Sequence, residues 1–368
     1  MVSERQSTIR VPKPPKPTRQ RIFISGVNSL IGHALFEQMR NDHEAVRNGK
    51  KCNKFSGTLI TKDAASVPSP NEQIKIVDAQ RKPKTFGKSI CSADTIVIDL
   101  VSGTDLDEAE KIIQILRQPL HEHQTKKQSL IVLSPVFTWA RTACAEGKEA
   151  LTDEDFSRRV PYPRFQMVKH LENLALTASK FNDNIRVAVV CSGLPYGHGE
   201  ANDVFYEFFR RAWLSLHPTL ASLPVIDSGD NTLPTIHVKD LSRFVKYLSS
   251  AAAAKIRKQY FIAVDECQSS TQREIIQSIS TCLGSGDVQN VPLADVIDEE
   301  WSEMLTLDLK MQISPELACL PPIEWHCRQG ITTETMKLLN EEFNLFRGLF
   351  PLKVFIGGPP GSGKTYFT

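Results

Sequence analysis

The feature that most constrains the fold of this 368-residue chain is a short apolar strand that runs directly into a glycine turn and a helix. Residues 22–25 have strand-forming sequence, Gly26 and Gly32 bracket the turn, and apolar residues then recur at helical spacing. Further strands are predicted at 58–61, 74–77, 95–101, 130–133 and 185–191, with an amphipathic helix around Ile112 and Leu116. Strands that alternate with helices indicate a parallel sheet with helices on both faces. The sequence therefore predicts a doubly wound α/β domain.

The same turn has the form of a pyrophosphate site. In Rossmann-like folds the N-terminus of the first helix meets the pyrophosphate of a dinucleotide, and glycines let the backbone approach it. The spacing here is Gly26-x-x-Ser29-x-x-Gly32, so a serine stands at the position of the middle glycine. Its Cβ atom and hydroxyl oppose close approach of a phosphate without forbidding it. The acidic residue that would hold a ribose after the second strand is also out of place, because Lys62 stands there and Asp63 follows one position late.

The composition is that of a globular protein, with 41% hydrophobic residues, 23% charged residues and a net charge of +2. This balance gives no electrostatic reason to expect nucleic acid or an anionic membrane as a partner. The eight cysteines include no Cys-x-x-Cys pair, which favours reduced thiols over disulfides or a zinc site. No run approaches the roughly 20 apolar residues of a membrane span, and no signal peptide is evident. We expect a soluble, cytoplasmic protein.

The sequence divides into four predicted parts. Residues 1–20 combine four prolines with five basic residues, which predicts an extended, solvated arm, with docking on an acidic surface as the alternative. Residues 21–290 form the predicted Rossmann-like domain. Residues 291–350 carry mostly helical patterns and are predicted to form a cap and a linker. Residues 351–368 contain a second glycine-rich motif.

Two segments after residue 160 indicate a more specific relationship. The loop Cys191-Ser-Gly-Leu-Pro-Tyr-Gly-His-Gly199 and the segment Pro234-Thr-Ile-His-Val-Lys-Asp-Leu241 resemble the substrate side of the extended short-chain dehydrogenase/reductase and sugar-epimerase family. The resemblance implies that His237 is architectural. It also implies that a Tyr-x-x-x-Lys pair opens the helix that begins near Pro163. In that family the tyrosine passes a proton, and the lysine lowers the pKa of the tyrosine and holds a ribose.

The tyrosine of that pair is missing from this chain. Phe165 occupies its position, whereas Lys169 is retained. A phenyl ring has no ionisable group and cannot act as an acid or a base. Ser134 corresponds to the family's serine at the end of the fifth strand, and Tyr162 is a poor substitute acid because it precedes Pro163. The resemblance thus implies the fold without the oxidoreductase activity. It leaves a vestigial dinucleotide site made of Gly26, Ser29, Gly32 and Lys169.

The most specific motif in the chain lies near residue 360, where a P-loop pattern follows the apolar strand sequence of residues 354–356. In a P-loop, backbone N–H groups face phosphate oxygens, Lys364 would reach the β- and γ-phosphates, and Thr365 would reach Mg²⁺. The predicted ATP-binding residues are Gly358, Pro360, Gly361, Ser362, Gly363, Lys364 and Thr365. The loop resembles that of the nucleoside monophosphate kinases, although Tyr366 stands where those enzymes commonly have the threonine of Gly-Thr. A kinase domain needs on the order of a hundred further residues, so we expect the 368-residue chain to hold a truncated kinase domain and to be inactive alone.

The two halves together resemble the axonemal adenylate kinases of motile cilia and flagella. Motifs that carry the resemblance are Leu133-Ser-Pro-Val-Phe-Thr-Trp-Ala-Arg141, Leu151-Thr-Asp-Glu-Asp-Phe-Ser-Arg-Arg159 and Arg347-Gly-Leu-Phe-Pro-Leu-Lys353. The resemblance implies a kinase that converts ATP and AMP to two ADP, and an N-terminal domain without dehydrogenase activity. We therefore expect a docking or assembly module with axonemal partners, in a radial spoke or another complex associated with doublet microtubules. The alternative is a non-catalytic sensor that binds NAD(P).

Overall fold

The computed structural model describes residues 20–40, 53–60, 74–118, 126–197, 205–215, 222–250, 252–266, 271–319 and 324–348. Its strands are β1 Arg21–Ile24, β2 Lys54–Gly57, β3 Ile74–Ile76, β4 Thr95–Asp99, β5 Gln128–Pro135, β6 Ile185–Ser192, β7 Leu194–Tyr196, β8 Leu223–Ile226, β9 Thr235–His237, β10 Tyr260–Ala263 and β11 Val288–Val291. Its helices are α1 Leu30–Met39, α2 Pro83–Ser92, α3 Leu106–Arg117, α4 Gln166–Leu176, α5 Tyr206–Leu214, α6 Val238–Ser249, α7 Gln272–Leu283, α8 Leu293–Val296, α9 Ser302–Leu305, α10 Pro315–Ala318 and α11 Met336–Gly348.

The centre of the described structure is a seven-stranded parallel sheet with the order β3-β2-β1-β4-β5-β6-β10. The order reverses between β1 and β4, which makes their carboxyl ends the switch point where such folds bind ligands. Two small parallel pairs, β7–β9 and β8–β11, stand outside the main sheet. The predicted doubly wound α/β fold is confirmed.

Helices cover both faces of this sheet. Helix α3 packs against α2 and α4, and α1 packs against α6. Because the strand order reverses at the switch point, right-handed crossovers place these two groups of helices on opposite faces. Strand β4 is buried along its whole length, as a central strand covered on both faces must be.

The predicted second strand at 58–61 is wrong, because β2 comes earlier, at Lys54–Gly57. Asn53 fixes the start of β2. Its side-chain NH2 group donates to the carbonyl of Met39, and its side-chain oxygen accepts from the backbone N–H of Gln20. Pairing with β1 then sets the register. The sequence of β2 is too polar to indicate a strand. The apolar Ile60, which suggested a strand at 58–61, lies beyond the end of β2.

The described residues between 291 and 348 include segments that pack against the central part of the fold. Met311 forms a bridge with Leu151, and the hydroxyl of Ser314 accepts from the backbone of Ile262 at 2.8 Å. The predicted boundary between 290 and 291 falls inside β11. The basic arm at 1–19 and the P-loop segment at 351–368 lie outside the described residues. Within the described ranges, no helix is both long enough and apolar enough to cross a lipid bilayer.

Candidate functional site

A cavity of about 840 Å³ opens at the carboxyl ends of β1, β4, β5 and β6, at the switch point of the sheet. The turn before α1 forms one wall through residues 28–31, and the loop after β4 forms another through residues 100–103. Further lining comes from the end of β5, the residues just before α4, the residues after β6, the start of α5 and the segment 299–304. This is the position in which a doubly wound fold places a nucleotide.

The glycine turn beside the cavity has the tight geometry that its sequence predicts. Gly26 has a φ of +64°, and a Cβ atom on Gly32 would lie 2.1 Å from the carbonyl oxygen of Gly26. Ser29 lines the cavity and caps α1, because its hydroxyl accepts from the backbone N–H of Gly32 at 2.7 Å. The serine therefore takes up one of the N–H groups that a phosphate would otherwise use.

A buried carboxyl group lies directly behind this turn. Ser29 donates its hydroxyl hydrogen to Asp99 at 2.9 Å, and Asp99 also accepts from the backbone of Val101 and Ser102. Burial raises the pKa of Asp99, an effect that these hydrogen bonds oppose. Sequence reasoning missed Asp99, although an acidic residue that closes a fully apolar strand is a usable signal. An ionised Asp99 would repel a phosphate that the N-terminus of α1 attracts.

The position after the second strand, where an acidic residue would hold a ribose, is also altered. With β2 ending at Gly57, the position after the strand is Thr58, whose hydroxyl accepts from the backbone of Gly26 and donates to Glu108 at 2.6 Å. Burial raises the pKa of Glu108. A carboxyl group is thus present near this position, but it comes from α3 and is bonded to Thr58. Asp63, considered from the sequence, lies outside the described residues.

Phe165 lies in the cavity wall at the start of α4. Its ring stacks on that of Phe137, with centroids 4.7 Å apart and planes 9° apart. The guanidinium of Arg164 sits over the Phe165 ring at 4.8 Å and pairs with Glu303. Tyr162 packs behind Phe137 at 6.1 Å and is not among the cavity-lining residues. At the position where the sequence resemblance predicts a proton-transferring hydroxyl, the structure has a stack of two rings beneath a guanidinium group.

The retained lysine and serine face away from this stack. The ammonium of Lys169 donates to the backbone carbonyl of Arg159 at 2.6 Å, and burial lowers its pKa. Ser134 donates to Glu172, which also accepts from Arg159 Nε at 2.8 Å. Neither Lys169 nor Ser134 is among the described cavity-lining residues. They belong to a buried network in which burial raises the pKa of Glu172 against the opposing effect of Arg159.

The mouth of the cavity is lined by more acidic than basic side chains. Glu207, Glu299 and Glu300 line it, with Arg164 as the basic lining residue. Glu207 is bonded to Arg210 and Arg211, which lowers its pKa although burial alone would raise it. Because Arg164 is paired with Glu303 and both other arginines are paired with glutamates, these residues offer little net positive charge to a ligand that carries several phosphates.

The residues at this site fit one end of a nicotinamide dinucleotide and not the other. The turn at Gly26 and Gly32 has the shape that accommodates a pyrophosphate. At the nicotinamide end, Phe165 has no proton to give, and the Lys169 ammonium is bonded to a carbonyl. Bound NAD(P) would supply hydride chemistry, but the described residues around it provide no matching acid–base pair.

His237 is buried and caps α6, with its Nδ1 accepting from the backbone of Lys239 at 3.2 Å. It is not among the residues that line the cavity, and its architectural role stays a prediction. Its partners His326 and Glu342 were missed, since both are distant in sequence and no motif marks them.

No protein-family model matches the chain. In sequence it is similar to adenylate kinase 7 of Mus musculus, with 29% identity over 281 residues, covering 74% of this chain and 44% of that protein. It is also similar to adenylate kinase 7 of Macaca fascicularis, with 30% identity over 199 residues, covering 53% of this chain and 35% of that protein. The chain therefore spans less than half the length of these curated relatives. The resemblance to adenylate kinases predicted from the sequence is confirmed.

Solved structures with the same fold are extended short-chain dehydrogenase/reductase-type enzymes. A dTDP-glucose 4,6-dehydratase from Bacillus anthracis in complex with NAD matches with a TM-score of 0.62 and 14% identity, covering 90% of this chain and 100% of that chain. A human epimerase family protein with NADPH matches with a TM-score of 0.57 and 17% identity, covering 87% of this chain and 99% of that chain. At these identities the likeness shows the fold alone.

Proposed function

We propose that this chain, which resembles adenylate kinase 7 in sequence and has the fold of the extended short-chain dehydrogenases, is an adenylate kinase homologue whose Rossmann-like domain is a non-catalytic docking or assembly module. The observation that carries the proposal is the Phe137–Phe165 stack at the place where that fold keeps its acid–base hydroxyl. The withdrawal of Lys169 into a backbone hydrogen bond supports it. In this proposal the domain retains the Rossmann-like fold and lacks the acid–base residues that the oxidoreductase reaction needs.

The kinase function is proposed from the P-loop motif and the sequence relatives. In the full gene product, Lys364 would contact the ATP phosphates and Thr365 would reach Mg²⁺. The reaction would convert ATP and AMP to two ADP. The Rossmann-like domain would fix this activity in the axoneme of a cilium or flagellum, on a radial spoke or another complex associated with doublet microtubules.

Two experiments test this proposal. Coupled assays on the full-length gene product should show transfer of phosphate between ATP and AMP, and no oxidation of NADPH or reduction of NAD in the presence of nucleotide sugars. The 368-residue chain, expressed with a fluorescent tag in ciliated cells, should co-purify with demembranated axonemes. Absence from axonemes would refute the docking role, and hydride transfer would refute the non-catalytic assignment.

A second function is favoured by the cavity itself, which has a volume of about 840 Å³ beside a turn that retains Gly26 and Gly32. In this reading the domain binds NAD(P) without catalysis and acts as a sensor. Calorimetric titration of the 368-residue chain with NADPH, run beside ATP·Mg²⁺, separates the two. Micromolar NADPH binding that improves in Ser29→Gly, which restores the middle glycine, would support the sensor. No heat with NADPH in either protein would leave the docking role.

A further inference from the structure

Three side chains with metal-ligating atoms converge beside α6, away from the cavity. His237 Nε2 lies 2.9 Å from one carboxylate oxygen of Glu342, and His326 Nε2 lies 2.8 Å from the other. The three potential ligand atoms lie within 4.8 Å of one another. His237 and Glu342 are buried, whereas the His326 side chain is 18% exposed and gives access from solvent. They come from the end of β9, the segment after residue 324 and helix α11.

Neighbouring groups hold these side chains in position. Both oxygens of Asp240 accept from the chain after residue 325, one from the backbone of His326 at 2.7 Å and the other from Cys327 at 2.8 Å. Gly197 lies against the His237 ring, where a Cβ atom would come within 2.3 Å of Nε2. Such outer contacts orient the ligands in protein metal sites. The fold therefore holds these three side chains in position, and they are not a chance cluster of surface residues.

A positive charge already lies within this group. The Lys239 ammonium is bonded to Glu342 and lies 3.4 Å from His326 Nε2. An imidazole nitrogen of His326 and a carboxylate oxygen of Glu342 thus face one cation, which is the kind of environment that also binds a metal ion. The Lys239 side chain is 32% exposed, so it can turn outward and leave this position. We propose that His237, His326 and Glu342 form a site for a divalent transition-metal ion, which exchanges with the ammonium of Lys239.

The ligand set selects the class of ion. Two imidazole nitrogens and one carboxylate oxygen suit Zn²⁺, which takes such sets tetrahedrally with a water as the fourth ligand. Ca²⁺ and Mg²⁺ prefer oxygen ligands throughout.

Binding has an identifiable cost. His237 Nδ1 accepts from the backbone N–H of Lys239 at 3.2 Å, and a metal ion on Nε2 would place the ring proton on Nδ1. That long capping hydrogen bond is then lost, and the metal ion must also displace the ammonium. The ion would tie α11 to the β9–α6 junction in place of the present hydrogen bond between His237 and Glu342 and the contact of Lys239 with Glu342.

The test uses the purified 368-residue chain with Co²⁺ as a spectroscopic probe and Zn²⁺ as its competitor. We expect one Co²⁺ per chain, with the intense visible absorption of tetrahedral coordination, displaced by Zn²⁺ and abolished by a chelator. His326→Ala should weaken binding by at least about tenfold. Lys239→Met, which removes the competing ammonium, should strengthen it. His170→Ala, at an exposed histidine of α4, is the matched control and should leave binding unchanged.

Three results would overturn the proposal. One is the absence of tetrahedral Co²⁺ absorption in both the natural chain and Lys239→Met. Another is a loss of affinity in His170→Ala equal to that in His326→Ala, because it would mean nonspecific histidine binding. The third is weaker binding in Lys239→Met with an unchanged circular dichroism spectrum, since the ammonium would then support the site instead of competing for it.

Discussion

The rings of Phe165 and Phe137 lie parallel in the cavity wall, with centroids 4.7 Å apart. The sequence resemblance predicts that Phe165 stands at the position of the proton-transferring tyrosine of the short-chain dehydrogenase family. The stack is worth about 0.5–1.5 kcal/mol beyond the burial of the two rings. The absence of a hydroxyl group is therefore accompanied by a packing interaction between the two rings. Replacing Phe165 by tyrosine would not by itself convert this arrangement into a working site.

We predict that Phe165→Tyr does not create oxidoreductase activity. The ammonium that would lower the pKa of the new hydroxyl is bonded to the carbonyl of Arg159. NADPH oxidation should stay at background with nucleotide sugars. The urea-unfolding midpoint should stay close to that of the natural chain, whereas Phe165→Ala should lower it by removing the stack. Turnover above background in Phe165→Tyr would mean that Lys169 reorients and that the site is dormant.

The buried ion pair of Arg159 and Glu172 should contribute more to stability than the ion pair that the more exposed Arg158 forms. Arg159 is 2% exposed, while Arg158 is 48% exposed and pairs with Asp155. Replacing Arg159 by Met leaves a buried carboxylate without its counter-charge and should cost about 3–5 kcal/mol of the free energy of unfolding. Replacing Arg158 by Met should cost about 0–1 kcal/mol. Equal losses in urea denaturation would show that Glu172 is satisfied without Arg159.

Two helical glycines should respond in opposite directions to alanine. A Cβ atom on Gly32 would lie 2.1 Å from the carbonyl of Gly26, whereas one on Gly87 would meet nothing within 4 Å. Gly32→Ala should destabilise the fold by about 3 kcal/mol, because backbone must move. Gly87→Ala should stabilise it by about 0.5–1 kcal/mol through helix propensity. Thermal unfolding followed by circular dichroism measures both. A tolerated Gly32→Ala would mean that the turn before α1 is looser than described.

How far the sequence could predict this structure depends on the distance between interacting residues. Strands β4 to β6 are predicted by runs of apolar residues, and the glycine turn is predicted by the spacing of Gly26 and Gly32. Strand β2 escaped because its sequence is polar and its register comes from β1. The contact between Ser29 and Asp99 joins residues 70 positions apart, and that between His237 and Glu342 joins residues 105 apart. Such pairs are created by the topology, so no local pattern predicts them.

The buried Asp99 should make stability depend on pH. Burial raises its pKa in the folded chain above the ordinary value of 3.8, so the folded state holds a proton that the unfolded chain releases. Its contribution is therefore complete below that ordinary value and is lost as the pH rises through the folded-state pKa. Asp99→Asn removes this dependence while its side-chain carbonyl can still accept hydrogen bonds.

The stability of Asp99→Asn relative to the natural chain should therefore increase as the pH is raised from about 4 to 8. Urea unfolding at a series of pH values measures this difference. Asp183→Asn, at an exposed aspartate, controls for the removal of a surface carboxylate. A difference between Asp99→Asn and the natural chain that does not change with pH would contradict a raised pKa for Asp99.

The packing of α1 against α6 has a consequence for how the chain is made. Leu30–Met39 and Val238–Ser249 are separated by about two hundred residues. A ribosome that adds about 5–20 residues per second needs roughly 10 to 40 s to produce the second helix after the first. During that interval the part of α1 that packs against α6 has no native partner and is a target for chaperones, although Phe36 of α1 can already contact Phe55 of β2. The first unit of the fold to be synthesised is thus among the last to be completed, and a chain that ends before residue 238 should aggregate instead of folding.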